Sequence, residues 1–133
     1  MVTTHEARNI SISIERDWRE VYEFAHLPEN FPRWASGLAS SLRQDGEDWV
    51  TDRTEGEVRV RFTPRNDFGV LDHFIMFATG VQIYIPLRVV ANGTGSEVIF
   101  TLFLLQGMTD EIVERDTALI SKDLGVLRRL LES

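Results

Sequence analysis

A single α+β domain over residues 1–133, with a curved antiparallel sheet of about seven strands wrapped around a long C-terminal helix, is the fold this sequence predicts. Three observations predict it. Residues 109–131, TDEIVERDTALISKDLGVLRRLL, space their apolar positions as one helix. From about residue 38 to residue 106 the period changes to two, interrupted by short turns. Two short helical segments lie between the first strand and that region.

The terminal helix has both of its ends marked. Thr109 is an N-cap, Asp110 and Glu111 occupy the positive first turn, and Arg128 and Arg129 the negative last turn. Val113, Ile120, Leu124, Leu127 and Leu131 form one stripe, with Ile112, Leu119 and Leu130 at its edge. Asp116 falls inside the stripe and Asp123 near its border. A carboxylate on a core-facing stripe needs a partner or stays protonated.

At the other end, ARNISISI (7–14) alternates Ile10, Ile12 and Ile14 against Asn9, Ser11 and Ser13, the pattern of a half-buried strand. Asp17 opens a helix and forms a capping-box pattern with Glu20; Trp18, Val21, Tyr22 and Ala25 give its apolar side. Pro28 ends that helix or starts a second one in PENFPRW, which Pro32 limits. LASSLRQ, WVTDRT, EVRVRFT, LDHFIMFAT, VQIYIPLRVVA and SEVIFTLFLLQ then read as six strands. Turns at Asp45-Gly46, near Glu55-Gly56, at Thr79-Gly80 and in NGTG (92–95) make the pairing antiparallel. An all-β sandwich is the second architecture, weakened by the long terminal helix.

Composition narrows the function classes. Hydrophobic residues make up 43% and charged residues 26% of the chain, as in a soluble globular protein. A net charge of −7 argues against nucleic-acid backbones and anionic membranes. The absence of cysteine excludes disulfides and thiolate chemistry. No long apolar run and no leader pattern is present, so a cytoplasmic location is expected. Three scattered histidines (His5, His26, His73) lack metal-ligand spacing, and no phosphate-loop or cofactor motif is present.

With even hairpin loops, Asp72, Phe74, Met76, Ile83, Ile85, Leu87, Val98, Phe100, Leu102 and Leu104 share one sheet face. His73, Ile75, Phe77, Thr79, Gln82, Tyr84, Pro86, Arg88, Ile99, Thr101, Phe103 and Leu105 share the other. Hydrophobicity alone buries the first set. Asp116 favours the second, because only that face offers cations, His73 and Arg88. The expectation is that the mixed face lines the interior, leaving the apolar face outside to form a homodimer.

ISIERDWREVYEFAHLPENFPRW, FGVLDH (68–73), IPLRVVANGTGSEVIFTL (85–102) and VERDTALISKDLGVLRRLLE together resemble the START-like, helix-grip superfamily, in its polyketide cyclase/dehydrase-like (SRPBCC) branch. These segments span nearly the whole chain. The resemblance implies a hydrophobic cavity between sheet and long helix, open to small apolar or aromatic ligands. His73 and Arg88 match segments that commonly line it; no catalytic motif carries over.

The candidate ligand-binding residues are His73, Arg88, Tyr84, Thr101, Phe103, Asp116 and Trp34. In a cyclase His73 would be the base, Arg88 the charge stabiliser and Tyr84 the donor. The structural alternative is a satisfied internal network in which Asp116 pairs with Arg88. Phe68 and Gly69 could gate the cavity or merely anchor a loop. A ligand-binding protein is the leading expectation, followed by a cofactor-free cyclase or dehydratase, then a co-chaperone-type interaction domain.

Overall fold

The computed structural model describes residues 1–35, 42–53 and 56–133. Strand β1 (Glu6–Ile14) leads into α1 (Trp18–Ala25), a 3-10 turn (Pro28–Asn30) and α2 (Phe31–Trp34). Seven further strands follow: β2 (Arg43–Asp45), β3 (Asp48–Arg53), β4 (Gly56–Phe62), β5 (His73–Phe77), β6 (Gln82–Ile85), β7 (Leu87–Asn92) and β8 (Gly95–Leu104). Helix α3 (Asp110–Glu132) closes the chain. The expected strand over residues 38–44 appears as β2 from Arg43; residues 38–41 lie outside the described residues, as does Glu55 of the expected turn.

The ends of the helices follow from their sequences. The Thr109 hydroxyl accepts from Ile112 N–H at 3.2 Å, and the Asp17 carboxylate accepts from Arg19 N–H at 3.1 Å. Glu20 does not return to cap α1; it pairs with Arg16 at 2.7 Å. Pro28 starts the 3-10 turn, where its missing N–H costs nothing.

Pairing is antiparallel throughout, in the orders β1-β8-β7 and β2-β3-β4-β5-β6. The run expected as one strand over VQIYIPLRVVA is two, because Pro86 cannot donate to a ladder. The chain nonetheless carries one sheet into the other. Leu71 N–H donates to Leu87 O at 2.8 Å, and Val89 N–H donates to Gly69 O at 2.9 Å. Gly69 has φ +71°, and a Cβ there would stand 2.2 Å from Val89 O, so no other residue fits this crossing.

The register corrects the expected faces. Phe77 N–H bonds Val81 O at 2.9 Å, leaving Ala78, Thr79 and Gly80 as an odd-length connection. Parity therefore changes between β5 and β6: His73 pairs with Ile85 and Ile75 with Ile83. The β7–β8 turn keeps the even parity, with Leu87 opposite Phe100 and Val89 opposite Val98. The inner face thus combines His73 and Ile75 from the mixed set with Ile85, Leu87 and Val98 from the apolar set, all buried. Arg88, Tyr84, Ile99, Thr101 and Phe103 fall on the outer face, so the mixed face does not line the interior.

The main core lies under the C-terminal half of α3. Leu124, Leu127 and Leu131 are 1%, 0% and 5% exposed and pack with Ile14, Val21, Tyr22, Val89 and Val98. Arg16 Nη1 donates to Leu131 O at 2.6 Å and Glu15 N–H to the Glu132 carboxylate at 2.8 Å, tying that end of the helix to the β1–α1 turn. No helix among the described residues is long and apolar enough to cross a membrane.

Candidate functional site

A cavity of about 270 Å³ lies between the middle of α3 and the sheet, just below the ~300–1,000 Å³ usual for ligand pockets. Its described wall comprises Phe31, Trp34 and Ala35, then His73 and Ile75 of β5, Ile83 to Ile85 of β6, Phe100 to Phe103 of β8, and Asp116, Leu119, Ile120, Asp123 and Leu124 of α3.

The cavity sits at a seam in the sheet. The Phe77–Val81 bond sets the hydrogen-bonding phase, so Ile83 and Ile85 turn their backbone groups to β5 while Gln82 and Tyr84 turn theirs toward β8. Pro86 O accepts from Thr101 N–H at 3.0 Å, and beyond that bond no ladder joins β6 to β8 among the described residues. Successive residues of both strands therefore reach the cavity, although alternate side chains point to opposite faces. On the outer side the rings of Tyr84 and Phe103 stack across the seam at 6.3 Å.

Of the seven residues expected from the sequence, His73, Tyr84, Thr101, Phe103, Asp116 and Trp34 line this cavity, and Arg88 does not. Arg88 is held on the outer face by Asp72, whose carboxylate accepts from Arg88 Nε and Nη2, both at 2.8 Å. The same carboxylate accepts from the Tyr84 hydroxyl at 2.8 Å and from Leu87 N–H at 2.9 Å. Burial pushes the Asp72 carboxyl up, but the Arg88, Leu87 and Tyr84 donors together hold it below the usual carboxylate range. The expected Asp116–Arg88 pair is thus replaced by Asp72–Arg88. Asp116 retains 32% of its side-chain exposure and, among the described residues, forms an ion pair with Arg115 at 3.5 Å. It answers its own charge by standing at the cavity margin, where solvent reaches it, and needs no buried cation.

His73 is 2% exposed, with Phe31 and Phe62 rings 5.4 and 5.8 Å away. Its Nδ1 lies 3.1 Å from Leu71 O. A carbonyl can only accept, so Nδ1 carries the proton and Nε2 the lone pair. Burial pushes the imidazole pKa down, the Leu71 bond opposing it, so the ring is neutral near pH 7. Trp34, 4% exposed, meets Phe31 edge-on at 5.3 Å, and its indole Nε1–H has no hydrogen-bond partner among the described residues. The Thr101 hydroxyl donates to Asn9 Oδ1 at 2.7 Å, away from the cavity.

Several wall residues were not singled out in the sequence. Ile83, Ile85, Phe100 and Leu102 were legible as apolar alternation, but weighing Asp116 as a deeply buried acid assigned them to the outside. Phe31 sits in PENFPRW without any pattern that separates a cavity wall from core. Phe68 is 80% exposed, and its loop is pinned rather than gating: Asn66 Oδ1 accepts from Phe68 N–H and Val70 N–H at 3.0 and 3.1 Å. His26 is mostly packed, stacked on Tyr22 at 5.0 Å and 3.3 Å from Glu23.

No family model matches the chain, and no curated protein matches it in sequence. Solved structures do match in shape. XoxI from Bacillus cereus superposes with a TM-score of 0.71 at 16% identity, covering 94% of each chain. The Aha1 dimer from Colwellia psychrerythraea gives 0.71 at 15% identity, covering 96% of each chain. DynU16, from the dynemicin biosynthetic locus, gives 0.72 at 16% identity, covering 96% of this chain and 47% of its own. At these identities the likeness speaks for the fold alone, an α+β helix-grip architecture.

Proposed function

Proceeding from the helix-grip fold, we propose that this chain is a single domain that binds a small hydrophobic or aromatic molecule in the cavity between the sheet and the middle of α3. The observation that carries the proposal is a partly open cavity, walled by Phe31, Trp34, Ile75, Ile85 and Phe100, that no described side chain fills. Aromatic and aliphatic walls favour an apolar body by surface burial, about 25 cal/mol per Å² removed from water.

Binding stands ahead of cyclase or dehydratase chemistry because the two groups expected to stabilise an enolate oxygen are both tied to Asp72: Arg88 is outside the described cavity wall and the Tyr84 hydroxyl proton is given away. It stands ahead of a co-chaperone-type role because that role calls for a filled core. A homodimer remains part of the proposal on one ground, the dimeric state of the Colwellia neighbour. The apolar face expected to carry it is split: Ile85, Leu87 and Val98 are turned inward, and Phe74 and Met76 fall outside with Tyr84.

Titration with the uncharged fluorophore N-phenyl-1-naphthylamine tests the proposal. Saturable one-to-one enhancement in the native protein, lost in Ile83→Trp with an unchanged circular dichroism spectrum, is the expected result. Enhancement that never saturates, or that ignores Ile83→Trp, overturns it.

A further inference from the structure

The polar groups of the cavity wall are one-sided. His73 offers a lone pair at Nε2, since Nδ1–H is given to Leu71 O. Asp116 offers a carboxylate at the margin, and Asp123, which has a protein partner already, adds a second formal negative charge on the same helix. The hydroxyl protons of Tyr84 and Thr101 are directed outward, to Asp72 and Asn9. Among the described wall residues the Trp34 indole N–H is the donor left without a partner, and it is buried. No lysine or arginine is among the described wall residues. Arg115, which pairs with Asp116, is 68% exposed and does not line the cavity.

Such a wall is mismatched to an acid. A carboxylate on the ligand would be desolvated without a cation and would face like charge. A protonated amine meets the reverse situation. It finds acceptors for its N–H groups, opposite charge at the margin, and aromatic faces suited to a cation. The chain's net charge of −7 also raises the local concentration of cations.

Resting on the cavity-binding proposal above, we infer that the ligand is an amine carried on an aromatic or branched aliphatic body, with the ammonium at the α3 margin beside Asp116 and Asp123. His73 Nε2, 2% exposed as a residue and with no partner among the described residues, accepts a hydrogen bond from a donor on the buried part of the ligand.

Three naphthalene probes of similar size separate this inference from the one it rests on: 1-naphthylmethylamine, 1-naphthalenemethanol and 1-naphthoic acid, titrated at pH 7 by calorimetry. The expected order is amine tighter than alcohol by about tenfold, the acid weakest. The amine-to-alcohol ratio should shrink at high salt and fall toward one in the Asp116→Asn/Asp123→Asn variant, whose fold is checked by circular dichroism. Alcohol and acid binding alike, an amine no tighter than the alcohol, or a ratio that survives both substitutions overturns the inference while leaving the cavity as a binding site. Failure of all three probes to bind removes both.

Discussion

The two ends of α3 do different work on one continuous stripe. Toward the C-terminus, Leu124, Leu127 and Leu131 are sealed against β1, α1, β7 and β8. Toward the N-terminus, Asp116, Leu119 and Ile120 stand over a hollow, and Leu119 keeps 41% of its surface. The sheet mirrors this. β8 is paired on both sides along Gly95–Phe100, but from Leu102 onward it is paired only to β1, and β6 is paired only to β5. The lesson is that helix and sheet loosen at the same place, so the space arises from an unzipped seam as much as from small side chains.

The largest effect should come from cutting the sealed end. Leu127→Ala, at a fully buried position, is expected to lose about 2–5 kcal/mol in urea unfolding, whereas Leu119→Ala should change stability by no more than about 0.5 kcal/mol. Equal losses would erase the distinction between the ends.

A smaller effect is expected at the junction, where Asp72 holds Arg88, Tyr84 and the Leu87 N–H. Asp72→Ala should cost about 1.5–3 kcal/mol, because it removes charged hydrogen bonds and orphans a backbone donor. The sign of its pH dependence follows from the lowered carboxyl pKa. Asp72 stabilises the fold at pH above its unfolded value, near 3.9, and that contribution is lost as pH falls through the folded value. Acid unfolding of the native protein should therefore include a component that Asp72→Ala lacks, read as a shallower fall in stability below about pH 4.

The smallest effect should come from the hollow end. Asp116→Ala is expected to shift stability by less than about 1 kcal/mol, since its partner Arg115 is exposed. A loss near the ~3–5 kcal/mol of a broken buried pair would mean that the acid is answered from inside the fold after all.

Much of the architecture was legible because it depends on local rules. The α3 boundaries were written in Thr109 and the acidic first turn, and β1 and β4 in clean alternation. Which residues line the cavity was largely legible one by one, but their arrangement was not. Six of the seven expected residues reach the cavity, yet the network imagined for them is absent, because Arg88 turned to a nearer carboxylate. Asp72 was judged only by its face, and that face was read with the wrong parity.

By itself, then, the sequence determined most of the elements, their order and the single apolar stripe of the last helix, since capping and periodicity act over a few residues. Tertiary structure alone decided which side chains share the chamber. A single extra residue in the Ala78–Gly80 connection inverts every side chain on one strand relative to the next, and loop length is set by how strands meet in space. It also decided which acid Arg88 meets, because ion pairing follows proximity, which no spacing along the chain records.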